Sequence, residues 1–113
     1  MNYDVVFHVD EMSKWALTLK NVSNLLQQVD KEKTRIEILA NSEAVKGYML
    51  LDNIFETDIR QLHAQGVVFV ACNNALKALA IDPIELLPFI KVVPAGVLEL
   101  IERQSEGYAY IKP

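Results

Sequence analysis

The chain of 113 residues holds one cysteine, Cys72. It stands inside VVFVACNNALKAL, residues 67–79, where an apolar run gives way to two asparagines and then to a helical pattern. The unpaired N–H groups that open a helix favour an anion such as a thiolate, and a thiolate is a nucleophile toward sulfur or carbonyl centres. The same residue also reads as packing, since free cysteine is among the most buried residue types. Other polar or special residues hold comparable positions at the ends of apolar runs. His8 and Asp10 close the first, Asn41 and Ser42 the second, Asn73 and Asn74 follow the cysteine, and Gly96 follows Pro94 and Ala95. His8 can serve as a base or proton donor near the thiol, or simply pack between sheet and helix. Asp10 is placed to cap the first helix, with Ser13 competing for that position. Asn41, Ser42, Asn73 and Asn74 are either helix caps or contacts for a bound substrate. Gly96 lets a backbone come close to a ligand or a neighbouring loop, or it serves a tight turn.

Spacing supports little other chemistry. His8, His63 and Cys72 are far apart and show no ligand pattern, so no metal is expected. No Ser-His-Asp set and no paired carboxylates can be assembled from the sequence. Neither GxGxxG nor GxxxxGK[ST] is present, which leaves a nucleotide without a phosphate loop, and no cofactor is expected.

The elements that must position these residues alternate. Tyr3 to Val9 reads as a buried strand. Met12 to Val29 is helical, with Met12, Trp15, Leu19, Val22, Leu26 and Val29 on one stripe. Asp30 to Lys33 is a charged loop, and Thr34 to Ala40 a second strand. Asn41-Ser42-Glu43 starts a short helix reaching about Met49. Residues 53–65 form a helix with Gly66 just past its end. Val67 to Cys72 is the third strand, Asn73 to Ala80 a helix, Asp82-Pro83 a further helical turn, and Lys91 to Val93 a fourth strand. Pro94 suits the start of a last helix, with Val97, Leu98 and Ile101 expected on its buried side. Gly107 breaks it, and Tyr108 to Ile111 is a fifth strand. Strands alternating with helices imply an α/β fold, a mostly parallel five-stranded sheet with helices on both faces. In such sheets ligands lie beyond the carboxyl ends of the strands, where the special residues fall.

The totals fit one domain spanning residues 1–113, long enough to bury a core. Apolar residues make up 51% and charged residues 23%, a globular profile. With net charge −4 and eleven basic residues in no block, neither nucleic acid nor an anionic membrane surface is an expected partner. One cysteine, no signal segment and no long apolar run point to the reducing cytoplasm. Leu17, Asn21, Asn24 and Gln28 form a stripe opposite the core stripe of the first helix, and Ile84 to Ile90 (IELLPFI) is more apolar than a surface turn needs. Together these predict a homo-oligomer.

Four segments in order, FHVDEMSKWALTLKNVSNLL, VVFVACNNAL, VVPAGVLELI and EGYAYIKP, resemble the small stand-alone members of the DsrE/DsrF-like family. The resemblance covers nearly the whole chain. It implies a three-layer α/β/α domain that assembles into trimers or hexamers. It also implies sulfur held as a cysteine persulfide, taken from a sulfur donor and passed to an acceptor protein. The position matching the sulfur-bearing cysteine is Cys72. The chain departs from the relay proteins in lacking an Arg-Gly after the cysteine, in the shorter helix that follows, and in having no second thiol. A non-catalytic ligand-binding or structural oligomeric module, with Cys72 as a wall residue, is the other reading.

Overall fold

The computed structural model describes residues 2–113. Five strands form one sheet: β1 (Tyr3–Val9), β2 (Thr34–Ala40), β3 (Val68–Cys72), β4 (Lys91–Val93) and β5 (Ala109–Ile111). Their order is β4-β3-β2-β1-β5, and every pairing is parallel. The longest ladder joins β1 to β2 in unbroken register from Tyr3–Thr34 to Val9–Ala40. The helices are α1 (Trp15–Leu26), α2 (Glu56–Ala64), α3 (Asn73–Ala78) and α4 (Gly96–Ser105).

This strand order decides which helix lies where. The connections from β1 to β4 all step the same way, and right-handed crossovers put their helices on one face. There Val5, Phe7, Val9, Ile36, Ile38, Phe69 and Ala71 pack against Trp15, Leu19, Val22, Ile59, Leu62 and Leu76. The step from β4 to β5 runs back across the sheet, so the same rule sends its helix to the other face. Among the described residues α4 alone covers that face, over Val6, Leu39, Val70 and Val93. The connections leaving β3 and β4 therefore diverge to opposite faces, the arrangement beside which open parallel sheets seat their ligands.

Several elements are more tightly wound than expected. Met12–Lys14 is a 3₁₀ turn ahead of α1, and Ser42–Tyr48 is a 3₁₀ helix. Trp15 explains both. Its indole is fully buried and donates through Nε1 to the Ala44 carbonyl at 2.9 Å. It leaves no room for a β-carbon at Gly47, which would lie 2.8 Å from the indole Cδ1. Tyr48 packs edge-on against the indole and donates its hydroxyl to the Ile38 carbonyl at 2.8 Å. α2 ends with Gly66 at φ 99°, the left-handed position that glycine adopts without strain.

The last helix corrects the sequence reading. Val97, Leu98 and Ile101 are 63%, 49% and 56% exposed, and the buried side of α4 is instead Gly96, Glu99 and Leu100. β2 places Glu37 on the face beneath α4, and the helix turns Glu99 inward toward it, leaving Val97, Leu98 and Ile101 outward.

Candidate functional site at the end of the third strand

Cys72 is the last residue of β3 and the N-cap residue of α3. It is only 7% exposed, so the thiol expected at an open mouth is nearly closed in the single chain. It belongs to the buried cluster of the face that carries α1, α2 and α3, and the start of α4 lies against its β-carbon. A β-carbon on Gly96 would lie 3.2 Å from Cys72 Cβ, 3.3 Å from Asn41 Cβ and 3.1 Å from Leu39 Cδ1. The absence of a side chain thus allows the N-terminus of α4 to press onto the ends of β2 and β3. Gly96 serves close approach, and its neighbours are Cys72 and Asn41.

Asn41 extends the cluster toward β1. Its Oδ1 accepts from His8 Nε2 at 2.9 Å, and His8 Nδ1 pairs with the Tyr110 hydroxyl at 2.7 Å. An amide oxygen accepts only, so Nε2 carries the proton, and neutral His8 takes the Tyr110 O–H at Nδ1. Because Oδ1 is engaged, the amide nitrogen is the free end of Asn41. Tyr110 was not among the residues singled out from the sequence, because its place beside His8 depends on β5 pairing with β1.

The remaining candidates scatter. Asp10 caps no helix: Glu11 and Lys14 hold the N-cap positions without side-chain bonds. Asp10 instead accepts from Lys112 at 2.9 Å, and that bond holds its carboxyl below the usual range. Ser42 is exposed at φ 51°, a left-handed conformation next to Asn41. Asn73 is half-buried and Asn74 exposed on the first turn of α3. The structure therefore gathers Cys72, Asn41, Gly96 and His8, adds Tyr110, and leaves Asp10 in an ion pair beside them.

Sequence spacing also missed a pair of carboxylates. Glu37 on β2 and Glu99 on α4 are each 6% exposed and meet between sheet and helix. Burial, then the hydrogen bond and charge of Glu99, push the Glu37 carboxyl up to about 8. Arg103 lies 3.7 Å from Glu99 through Nε, while its Nη2 is drawn to Glu106 at 3.0 Å and Glu102 at 3.7 Å. The signal was an acid in the middle of TRIEILA, an inner strand that a parallel sheet buries on both faces.

An open groove of about 460 Å³ beside β4 is lined by Leu50, Ile84, Leu86, Pro88 and Ile90, among others. Ile84 is 83% exposed, and Leu51 and Ile54 nearby in sequence to Leu50 are 76% and 88% exposed. No helix among the described residues is long and apolar enough to cross a membrane.

Comparison with known proteins agrees with this architecture. A protein of unknown function from Methanobacterium thermoautotrophicum, MTH1491, is 40% identical, with 99% of this chain and 100% of that chain aligned and a TM-score of 0.91. The ychN protein from E. coli shares the fold at 15% identity, over the whole of both chains, with a TM-score of 0.82. A protein of unknown function from Bacteroides thetaiotaomicron, BT1422, does so at 17% identity, over 97% of this chain and 94% of that one, with a TM-score of 0.71. No curated protein matches the sequence. The model of the DsrE/DsrF-like family matches residues 46–113, a span that includes β3, Cys72, Gly96 and Tyr110. The chain therefore belongs to the DsrE/DsrF-like family, which is associated generally with sulfur relay.

Proposed function

We propose that this protein is a sulfur carrier that holds sulfane sulfur as a persulfide on Cys72 and hands it to a partner. The observation that carries the reading is the place of the chain's only thiol. Cys72 stands where the connections of β3 and β4 diverge, against Asn41 and the first residue of a ten-residue helix. In the loading step, the Cys72 thiolate attacks a sulfane sulfur of a polysulfide or persulfide donor. A new S–S bond forms, the donor's S–S bond breaks, and its electron pair leaves with the shorter thiolate. In the unloading step, an acceptor thiolate attacks the outer sulfur and Cys72 departs as a thiolate. Neither step needs an external oxidant or reductant. In this reading the amide of Asn41, held by His8, which Tyr110 bonds in turn, and the N–H groups opening α4 are the donors that stabilise the anions. In this reading Asn73, Asn74, Ser42 and Asp10, on the neighbouring strand-end loops, meet the incoming donor or acceptor.

The chain acts as one domain and as a homo-oligomer, trimer or hexamer, in the cytoplasm, with separate donor and acceptor proteins. The outward face of α4 supports the assembly, because Val97, Leu98 and Ile101 form an exposed apolar stripe. A second reading draws on the 93% burial implied by the small exposure of Cys72: a binding or structural module in which the thiol is only a wall. Loading with polysulfide, read as added sulfur on the wild type and not on Cys72→Ser, separates the two.

A further inference from the structure

Cys72 is only 7% exposed and the start of α4 lies against its β-carbon, so a carrier built on this thiol needs the elements beside it to move. We propose that α4 is a hinged cover on the ends of β2 and β3, beside Cys72, latched to the sheet by one proton shared between Glu37 and Glu99. The functional consequence rests on the reading of Cys72 as a sulfur acceptor, whereas the latch is a property of the fold alone.

Three observations carry it. First, α4 is weakly seated. It is the one helix described on its face, and it buries only Gly96, Glu99 and Leu100 against the sheet, while Val97, Leu98 and Ile101 leave any hold on its outer side to the partner subunit. Secondly, its ends permit motion. Ala95 is extended ahead of it, and Gly107, with φ 95°, follows it with open space around its α-carbon. Thirdly, two carboxyl groups, each nine-tenths buried, face each other at its midpoint. Oε2 of Glu37, Oε2 of Glu99 and Nε of Arg103 have no hydrogen-bond partner among the described residues.

The groups around Glu37 leave this pair under-neutralised. From α4 come Glu99 and Arg103, and Arg103 is shared with Glu102 and Glu106. From β4 comes the charge of Lys91, while β1 and β3 place Val6 and Val68 in register with Glu37. Tyr48, fully buried in the core of the opposite face, feels the Glu37 charge and adds no cation. One guanidinium divided among three acids of its own helix cannot hold two buried carboxylates together. One proton can, because a carboxylic acid donates to a carboxylate. The upward displacement of Glu37 keeps that proton in place at neutral pH and releases it in mildly alkaline solution. Two like charges then face each other, and the helix lifts to let water reach them, freeing the side of Cys72 and Asn41 that its N-terminal end lies against.

Hydrogen exchange on the intact chain between pH 6 and pH 9, corrected for the intrinsic rate, tests the latch. The amides of α4 should lose protection by about 100-fold across that range, because each pH unit separating a normal carboxyl from one held near 8 is worth up to tenfold. Those of β1, β2 and β3 should hold. Glu37→Gln, whose amide donates as the protonated acid does, should make α4 insensitive to pH. Glu99→Gln removes the facing charge and leaves the burial of Glu37, so it should shrink the pH response of α4, and it serves if the first variant folds poorly. A flat α4 in the wild type, a sheet that loses protection in step with α4, or an unchanged pH response in the variants overturns the latch. Loosening of α4 without sulfur ever adding to Cys72 upholds the latch and removes the carrier role.

Discussion

Replacing Glu37 by glutamine should reverse the usual cost of altering a buried residue as pH rises. In the unfolded chain the Glu37 carboxyl ionises near 4.5, and in the folded chain near 8. Between those values the folded state binds the extra proton, so stability falls with rising pH and the full penalty is present above about 8. At pH 5 the penalty is below about 1 kcal/mol, at pH 7 about 3 kcal/mol, and by pH 9 it approaches about 5 kcal/mol, at 1.36 kcal/mol per pH unit. Glutamine has no proton to lose and keeps a donor toward Glu99. Urea denaturation followed by fluorescence of Trp15, the only tryptophan, compares the two proteins directly. The wild-type curve should fall below that of Glu37→Gln by a growing margin, reaching about 4 kcal/mol between pH 5 and pH 9. Titrating groups outside the Glu37–Glu99 pair are common to both proteins and cancel in the difference. Parallel curves across that range would show that Glu37 is not held as a buried acid, and the account of α4 would fall with it.

Two further predictions concern packing. Gly47→Ala drives a methyl group into the buried Trp15 indole and strains its bond to Ala44; overpacking and a weakened buried hydrogen bond should cost roughly 2–4 kcal/mol in urea denaturation, and a loss under about 0.5 kcal/mol contradicts the packing described. Ile101→Lys puts a charge on the outward apolar stripe of α4; light scattering should show the wild type as an oligomer and the variant with a smaller mass, and a wild-type monomer removes the interface.

The sheet was legible because strands buried on both faces announce themselves. YDVVFHV, TRIEILA and VVFVAC are nearly continuous apolar runs, and β-branched residues dominate their centres. The convergence of Cys72, Asn41 and Gly96 was legible for a related reason, since polar residues at the ends of parallel strands share one edge of the sheet. What pairs across the sheet was not. Tyr110 reaches His8 only because β5 returns to lie beside β1, and several strand orders satisfy the crossover rule. The orientation of α4 misled for a different reason. Three apolar residues at 97, 98 and 101 outweigh Leu100 in any count of hydrophobicity, yet Glu99 faces inward, toward Glu37 on β2. An apolar stripe indicates burial of some kind, and here the single chain leaves it open.

The central claim is that Cys72 accepts sulfur. Intact mass measured after polysulfide treatment tests it most directly, with samples taken at pH 7 and at pH 9. The wild type should gain sulfur in whole-atom steps that a reductant removes, faster at the higher pH as α4 lifts, and Cys72→Ser should gain none. A wild type that takes up no sulfur at either pH, while Cys72 in unfolded protein does, would contradict the carrier and leave the thiol as part of the core.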